Sequence, residues 1–574
     1  MRDNRNMLLA IALSALVLVG WSLLSEKFFP TAGPQTVRVE NGQTRPIPQP
    51  VADPAADAPR AIRARNIVLG ETPRVAVRTP SLSGSINLKG ARFDDLVLVR
   101  ERETIAKDSS PVRLLSPAGA EAAYFAGFGW TGQGVATPDA DTVWTASAPT
   151  LTPGAPVTLS WTNPTGQRFE LIVAVDEGYL FTVRQRVANL GTAPVAVTPY
   201  GLVSRAEKSA DETSMTSHVG PVSFLNAAAD YDVDWDTLDE DRAGVTRDSR
   251  GGWLGFTDKY WLTALAPANG APVAASFRKS ASGAYQADYA GTPTIVPAGQ
   301  AISDESRLFA GAKEKEWLDR YETAGITKLS KSIDWGWFEW FMRPIFDLLR
   351  WLFQVTGNFG VAIICLTFIV RLLMFPIADK QFRSMAGMRR VQPKMKAIQE
   401  RYKDDKPKLQ AEMLKLYQTE KINPAAGCLP ILLQIPVFYA LYKVLMVSVE
   451  MRHQPFALWI KDLSAPDPMT PLNLFGLLDF TPPGFLAIGV LPILLGVTMW
   501  LQFKLNPAPM DPVQQQVFSI MPWVLMFIMA PFAAGLQLYW VVSNILTIAQ
   551  QKWLYHRYDL QKDSDAEGAV PAHK

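Results

Sequence analysis

The chain has 574 residues, of which 48% are hydrophobic and 19% are charged, and its formal net charge is +2. These averages exclude a disordered or collagen-like chain. Two Cys and four His are too few for a disulfide framework or a metal cluster, and the near-neutral charge argues against a general nucleic-acid binder. The charged residues are unevenly distributed, however, and charge-free segments divide the chain into regions.

The N-terminal region contains 18 residues without a charge, Met7–Leu24, preceded by Arg2 and Arg5. This run is longer than the roughly 7–15 apolar residues of a signal peptide, and no small-residue cleavage site follows it. We therefore predict an uncleaved membrane anchor over residues 1–24 with a cytoplasmic N-terminus. Residues 25–60 are rich in Pro, Ala, Gln and Asp, which is typical of a linker.

Short β-like runs separated by Gly, Pro and Asn follow, for example Arg74–Arg78 and Arg168–Val175. Their spacing predicts a large all-β sandwich over residues 61–325. The acidic run from Asp230 to Asp236 invites a calcium interpretation, but Trp235 stands where an EF-hand loop requires Gly. We interpret this run as a solvated loop. No nucleophile, zinc or paired-carboxylate motif indicates an enzyme.

An amphipathic helix is predicted over residues 333–350, where Trp, Phe and Leu surround one polar stripe. The stripe is spaced 4, 4 and 3 residues, so its neighbours support one another as opposite charges one turn apart. The three Trp between 335 and 340 favour a helix that lies in the membrane interface. The alternative is a helix packed against the β domain. The stripe consists of Glu339, Arg343, Asp347 and Arg350.

The C-terminal third is almost free of charge. Trp351–Val370 has 20 uncharged residues, which as a helix spans about 30 Å, the thickness of a bilayer core. Val513–Gln551 has 39, too many for one span, and Pro531 and Gly535 predict a turn near its middle. We predict five further spans, over residues 351–378, 422–448, 481–503, 514–533 and 535–553.

The segments between the spans differ in charge. Residues 380–421 carry 12 basic and 5 acidic side chains, residues 450–479 carry two and four, and residues 25–334 carry 31 and 36. Basic loops remain in the cytoplasm. Six spans then place loop 379–421, the tail 554–574 and both termini in the cytoplasm, and place the β domain and loop 449–480 outside.

Loop 379–421 is predicted to form two helices joined around Lys403–Pro407. It is strongly basic and rich in Met, whose flexible side chains suit varied apolar partners. The alternative is an ordinary helical hairpin whose charge serves only topology and lipid headgroups.

One charge, Arg371, is predicted deep within a span. If the helix continues to Asp379, eight residues place Arg371 about 12 Å inside the boundary, where a charge costs at least about 2.5–3.5 kcal/mol. It either faces protein or water, or extends to the headgroups because Pro376 ends the helix early. Nearby polar residues either join helices or line a hydrated cavity: Thr367, Gln434, Gln502, Gln537, Trp540, Asn544, Thr547 and Gln551.

Several motifs carry a resemblance to a known family: Pro393-Lys-Met-Lys396, Asn423-Pro-Ala-Ala-Gly-Cys-Leu-Pro430, Gln434-Ile-Pro436, Pro455-Phe-Ala-Leu-Trp-Ile460 and Gly535-Leu-Gln-Leu-Tyr-Trp-Val-Val-Ser-Asn544. Together they resemble the YidC/Oxa/Alb family of membrane protein insertases, in the Gram-negative form with a large periplasmic domain. The resemblance covers residues from about 335 to 556. The first span and the β domain, including Gly251-Gly-Trp253, fit the same architecture more loosely.

The resemblance implies a six-span α-helical membrane protein of the inner membrane, with a five-helix insertase core, an N-terminal anchor helix and a periplasmic β-sandwich. It implies that the protein inserts and folds integral membrane proteins, alone or with the Sec translocon and its accessory subunits, without cofactor, metal or enzymatic activity. The implied partners are nascent membrane proteins, the ribosome and the phospholipid bilayer, and no specific nucleic acid.

The resemblance also assigns residues. Arg371 matches the family's groove arginine, and Tyr539 and Trp540 match an aromatic pair that contacts the client protein. The predicted client groove comprises Arg371, Thr367, Gln434, Gln502, Gln537, Tyr539, Trp540 and Asn544. The predicted client or ribosome contacts of the cytoplasmic loop are Met385, Met388, Arg389, Arg390, Lys394, Met395 and Lys396.

Two features depart from the family pattern. Lys443 occupies a position near the outer end of span 422–448 where an uncharged residue is usual, and we expect it to extend outward. The tail Lys552–Lys574 is not strongly basic, so loop 380–421 is the better ribosome candidate. The competing functions are a secondary transporter, which predicts internal repeats, and a membrane-anchored periplasmic module that binds sugar or peptide.

Overall fold

The computed structural model describes residues 62–211, 218–280, 282–336, 338–403, 405–420, 429–475, 477–478, 487–505 and 512–567. The predicted anchor 1–24, the linker 25–60 and the last residues of the tail lie outside the described residues.

Twenty strands are described between residues 74 and 312. In chain order they are β1 (Arg74–Arg78), β2 (Leu82–Asn87), β3 (Arg92–Arg102), β4 (Pro111–Leu115), β5 (Tyr124–Gln133), β6 (Thr145–Ala146), β7 (Thr150–Leu151), β8 (Val157–Thr162), β9 (Gln167–Val175), β10 (Leu180–Asn189), β11 (Val195–Arg205), β12 (Gly220–Leu225), β13 (Ala228–Asp230), β14 (Val245–Arg250), β15 (Trp253–Thr257), β16 (Trp261–Pro267), β17 (Pro272–Lys279), β18 (Tyr285–Ala290), β19 (Thr294–Val296) and β20 (Ala301–Ala312).

These strands form two sheets. One has eleven strands in the order β14-β17-β18-β11-β5-β3-β2-β1-β7, with β19 beside β11 and β4 beside β3. The other has nine strands in the order β13-β12-β15-β16-β20-β10-β9-β8-β6. Long antiparallel ladders such as β10 with β20 hold the second sheet together.

The core lies between the sheets because apolar residues alternate along the strands. In β1, Val75 and Val77 are buried while Arg78 is exposed. Phe93 of the first sheet meets Phe181 of the second edge to face, with ring centroids 5.3 Å apart. This arrangement confirms the predicted β-sandwich.

Three short helices accompany the sandwich: α1 (Arg65–Gly70), α2 (Trp235–Glu240) and α3 (Lys315–Thr323). The acidic run interpreted as a solvated loop includes the start of α2. There Asp234 accepts a hydrogen bond from the backbone N–H of Thr237 at 2.7 Å, which caps the helix. Partial burial acts to raise the pKa of Asp234, but the hydrogen bonds from the backbone N–H and the hydroxyl of Thr237, together with the nearby His218 and the N–H of Asp236, hold this pKa below its usual value.

The helical region contains α4 (Glu339–Thr356), α5 (Phe359–Leu373), α6 (Phe375–Arg401), α7 (Lys406–Thr419), α8 (Leu429–Val447), α9 (Val490–Leu505), α10 (Pro512–Met529) and α11 (Ala534–Glu567). The central helix is α11, which packs against α5, α6, α8 and α9. Taken one at a time, none of the described helices is both long and apolar enough for a membrane span. The bent pair Phe359–Leu373 and Phe375–Met385 meets that criterion together.

Residues 351–378, predicted as one span, are divided among three helices. Helix α4 ends at Thr356 and is capped by Gly357, whose φ of +67° suits a residue without a side chain. Asn358 then caps α5 by accepting from the N–H of Val361 at 3.1 Å. The chain turns by 64° between α5 and α6. Pro376 lies in the first turn of α6, where a backbone N–H would have no partner within the helix, so proline costs no hydrogen bond there.

Helix α4 contacts the β domain, as the alternative interpretation of the amphipathic helix expected. Its buried stripe of Met342, Phe346, Leu349 and Leu352 packs on the helical region, while Trp340 on another face is 74% exposed. Its polar stripe contacts the β domain through α3: Asp347 lies 3.3 Å from Lys315. The predicted i,i+4 pair of Glu339 and Arg343 is present at 3.3 Å.

Polar contacts fix the β-sandwich to the helical region. The guanidinium of Arg452 donates to the backbone carbonyls of Arg102 and Glu103 at 2.6 and 3.1 Å. Lys443, which we expected to extend outward, is 1% exposed and lies 3.5 Å from the carboxylate of Asp334. The correction has a simple cause: the connection between sandwich and helices supplies an acid that the span itself lacks.

Candidate functional site

A cavity of about 350 Å³ opens within the helical region, between α5, α6, α8, α9, α10 and α11. The described lining from α10 is apolar, whereas α5, α8, α9 and α11 each contribute at least one polar side chain, among them Gln502 of α9. We call this cavity the groove. It is lined by Arg371, Met374, Ile377, Ala378, Gln381, Phe382, Gln434, Ile435, Phe438, Met499, Gln502, Phe503, Phe518, Met521, Leu525, Tyr539, Trp540, Ser543, Asn544 and Thr547.

Among the described residues that line the groove, Arg371 is the one with a charged side chain. Its side chain is half-buried, lies in the last turn of α5, and donates a hydrogen bond to the hydroxyl of Ser543. No acidic side chain belongs to the described lining. Since a guanidinium has five N–H donors, this hydrogen bond leaves further donors for an anionic or carbonyl group that enters the groove.

The aromatic pair of α11 lies beside Arg371. Tyr539 is buried, and its hydroxyl accepts a hydrogen bond from the amide of Gln434 on α8. Trp540 is half-buried and meets Phe438 edge to face, with ring centroids 4.8 Å apart. This wall therefore offers hydrogen-bonding groups next to aromatic surface.

Two of the predicted groove residues lie outside the lining. Thr367 is 1% exposed, and its hydroxyl donates to the carbonyl of Ile363 one turn earlier. Gln537 is fully buried, and its amide donates at 2.8 Å to the carbonyls of Met529 and Phe532, at the turn after α10. Neither side chain belongs to the described lining, because the Thr367 hydroxyl and the Gln537 amide nitrogen donate to backbone carbonyls instead.

The polar stripe of α11 thus serves two purposes. Gln551 is buried and donates to the carbonyl of Leu505 at the end of α9. Asn544 lines the groove and also donates to the hydroxyl of Thr498 on α9 at 3.1 Å. The stripe is therefore divided: Gln551 joins two helices, whereas Asn544 both joins two helices and lines the groove.

Ser543, the partner of Arg371, was not among the predicted site residues. The signal was its position four residues after Tyr539, which places both on one face of α11, adjacent to the predicted stripe. Phe438, Met499 and Met521 were also missed, because apolar lining residues cannot be told from ordinary core residues by sequence pattern.

The predicted contacts of loop 379–421 lie on α6 and the hairpin that it forms with α7. Met385 and Met395 are 8% and 3% exposed, so this arrangement does not present them to a partner. Met388 is half-buried, Lys396 is exposed, and Lys394 forms an ion pair with Glu420 at 2.6 Å. The side chains of Arg389 and Arg390 lie outside the described residues.

The two regions of the fold match two family models, and the description of one of them names a class of inner membrane proteins. The family model "60Kd inner membrane protein" matches residues 351–562, and the model "YidC periplasmic domain" matches residues 74–348. The two matches meet at α4, between the sandwich and the other helices.

Curated relatives cover the whole chain. The "Membrane protein insertase YidC" of Zymomonas mobilis is 47% identical over 100% of this chain and 99% of its own length, and that of Rhizobium meliloti is 44% identical over 96% and 95%. A crystal structure of an active YidC insertase covers 86% of this chain and 95% of its own, at 18% identity and a TM-score of 0.37. The chain belongs to the YidC family of membrane protein insertases.

Family membership confirms the resemblance seen in the sequence and the prediction of an insertase rather than an enzyme. It also confirms that the β-sandwich is the periplasmic domain of an inner membrane protein. The transporter and sugar- or peptide-binding alternatives are not favoured.

Proposed function

We propose that the groove receives a polar segment of a client membrane protein while the client's apolar helix enters lipid beside it. The observation that carries this proposal is the environment of Arg371, a cation in a polar groove without a described acidic neighbour in the lining. A cation in such a place is costly unless water or a ligand solvates it.

Physical chemistry supplies the mechanism. A bilayer core is about 30 Å thick, and a groove that admits water shortens the apolar distance that a polar terminus must cross. An acidic client segment gains from the charge of Arg371. Transfer of the client helix into lipid supplies one driving force, and the membrane potential adds about 2.3 kcal/mol per charge for each 100 mV.

Lateral exit into lipid fits the groove wall. Ile435 of α8 belongs to the lining and is also 55% exposed, so groove and outer helix surface are continuous there. We propose that the client helix leaves between α8 and α10, the third and fifth spans.

The proposed topology has six spans, including the N-terminal anchor, with both termini in the cytoplasm and the groove open to that side. The charge of the segments supports it: residues 380–421 carry 12 basic and 5 acidic side chains, whereas residues 450–479 carry two and four. The cytoplasmic hairpin α6–α7, with exposed Lys394 and Lys396, is the proposed contact for ribosome and incoming client. The Sec translocon and its accessory subunits are further proposed partners.

Crosslinking tests the groove directly. A photoreactive amino acid replaces Trp540 in the full chain, and ribosome-bound nascent chains of a single-span client are supplied to membrane vesicles. We expect an adduct at 540 while the client span is entering. The control is the same replacement at Trp351, an aromatic residue that is 55% exposed outside the groove. Adducts of equal yield at 351, or none at 540, would contradict the proposal.

A further inference from the structure

The segment between α8 and α9 is fastened across the helix ends nearest the β-sandwich. The N–H groups of Ala534 and Gly535, at the start of α11, donate to the carbonyls of Ala465 and Leu463 at 2.7 and 2.9 Å. Asn358, at the start of α5, donates to the carbonyl of Phe456 at 2.9 Å. These hydrogen bonds hold the segment beside the N-terminal ends of α5 and α11.

Asp467 fixes the same segment to α9. Its carboxylate is 4% exposed and accepts hydrogen bonds from the backbone N–H of Leu491 at 2.8 Å and from the indole N–H of Trp459 at 2.9 Å. A side chain at Gly489 would approach the carboxylate carbon of Asp467 to 2.6 Å, so glycine is needed for this contact. These contacts fix the position of Asp467, from which the next part of the chain begins.

A turn described over residues 470–475 and 477–478 follows Asp467, with its large apolar side chains exposed. We call it the apolar turn. Its described polar side chains are Thr470 and Asn473, which are buried and hydrogen-bonded to each other at 3.1 Å. Residues 468–478 contain no charge. Five large apolar side chains are exposed: Leu472 at 49%, Leu474 at 52%, Phe475 at 53%, Leu477 at 83% and Leu478 at 46%.

The backbone of the apolar turn is closed by its own hydrogen bonds. The N–H of Phe475 donates to the carbonyl of Thr470 at 2.9 Å, and the N–H of Leu478 donates to that of Asn473 at 3.0 Å. Backbone groups satisfied in this way lower the cost of leaving water. Five exposed apolar side chains in one turn are, by contrast, unfavourable in water.

We infer that the apolar turn inserts into the outer leaflet of the membrane, an inference that rests on the proposed topology, and that it anchors the described part of the segment between α8 and α9 there. Lipid is the favoured occupant because the turn lies at the level of the helix ends. The flank of α9, to which Asp467 is hydrogen-bonded, also exposes apolar side chains: Leu494 and Val497 are 40% and 41% exposed. An anchored turn would also hold the start of α9 and the turn between α10 and α11, and other residues of these three helices line the groove.

Site-directed spin labelling tests this inference. The native Cys365 and Cys428 are replaced by Ser, and single labels are introduced through Leu477→Cys, Leu474→Cys and, as a control, Lys461→Cys in the same outer segment. Lys461 is exposed and charged. The full-length protein is reconstituted into vesicles of phosphatidylethanolamine with a minor share of phosphatidylglycerol. Collisions with apolar oxygen and with a water-soluble nickel chelate are then compared.

We expect the oxygen-to-nickel collision ratio to be several-fold higher at 474 and 477 than at 461. A ratio at both turn positions equal to that at 461 would show a turn in water and overturn the inference. Labels at both positions that are immobile and shielded from oxygen as well as nickel would indicate a protein partner instead, and would also overturn it. Insertion of a test client by each labelled protein confirms that the variants are folded.

Discussion

Two cations lie within the helical region at opposite positions, and their surroundings differ. Lys443, beside the β-sandwich, is 1% exposed and lies 3.5 Å from the carboxylate of Asp334. Arg371, beside the α6–α7 hairpin, lines the groove and is hydrogen-bonded to a neutral hydroxyl. The first charge is compensated within the protein, whereas the second is not compensated by the described lining.

The difference separates stability from function. A compensated buried charge is a structural element, since loss of one partner leaves the other charged and desolvated. An uncompensated cation contributes little to folding, but it attracts an anionic group that enters its cavity. We therefore expect variants near the β-sandwich to change mainly stability and variants in the groove to change mainly insertion.

The largest expected effect is on the junction pair. Asp334→Asn leaves the buried Lys443 without its acid, and we expect a loss of about 3 kcal/mol of stability, the lower end for a broken buried pair because Asp334 is partly exposed. Unfolding of the detergent-solubilised protein measures this loss. Lys443→Met combined with Asp334→Asn should recover most of it, and the exposed Lys461→Met serves as the neutral control. A double variant no more stable than Asp334→Asn would contradict the assignment.

The next effect concerns Gln537, predicted for the groove but located at the turn after α10. Gln537→Leu removes its hydrogen bonds to the carbonyls of Met529 and Phe532, and we expect a loss of about 2 kcal/mol, because these carbonyls stay buried. Insertion by the remaining folded protein should be unchanged. If Gln537→Leu impaired insertion without changing stability, Gln537 would belong to the client site after all.

Arg371 should show the opposite pattern. We expect Arg371→Ala to reduce insertion of a client with an acidic translocated segment about tenfold, equivalent to about 1.4 kcal/mol, while a matched client with a neutral segment is little affected. Arg371→Lys keeps the charge and should retain most of the activity. Insertion assays in vesicles, scored by protease protection, measure both clients. An equal loss of insertion for the two clients would contradict an electrostatic role of Arg371.

The smallest effect is a pH dependence in the periplasmic domain. Burial lowers the pKa of Lys313 to about 8, below the usual value near 10.4. The unfolded chain therefore binds more protons than the folded one between these values, and stability should rise with pH by about 1 kcal/mol from pH 7 to pH 9. Unfolding curves at the two pH values measure this rise, which Lys313→Met should abolish. The same rise in Lys313→Met would assign it to other groups.

Local patterns predicted much of the fold. Alternation of apolar residues predicted a strand at Arg74–Arg78, which coincides with β1, and the charge-free runs marked the helical third. The division of residues 351–378 was missed, because a 64° bend depends on how α5 and α6 pack and not on local composition. The burial of Lys443 was missed because its partner, Asp334, is distant in sequence.

The groove was predicted in part. Periodicity identified one polar face on α11, but the identity of the neighbour that covers each part of that face is a tertiary property. Hence Asn544 lines the groove, whereas the amide of Gln537, on the same stripe, donates hydrogen bonds to backbone carbonyls. Arg371 was predicted correctly as a lining residue because a charge within an apolar segment is costly. Such a charge is visible in the sequence without knowledge of tertiary contacts.

The central claim is that a water-filled groove surrounds Arg371 and opens to the cytoplasm. Labelling of Trp540→Cys by a membrane-impermeant maleimide tests it most directly, in protein whose native Cys365 and Cys428 are replaced by Ser. Trp540 lines the groove and is half-buried, whereas the control Val541→Cys is buried and outside the described lining. We predict labelling of Trp540→Cys in inside-out vesicles only, and little labelling of Val541→Cys in either orientation. Labelling of Trp540→Cys from the periplasmic side, or from neither side, would contradict the account.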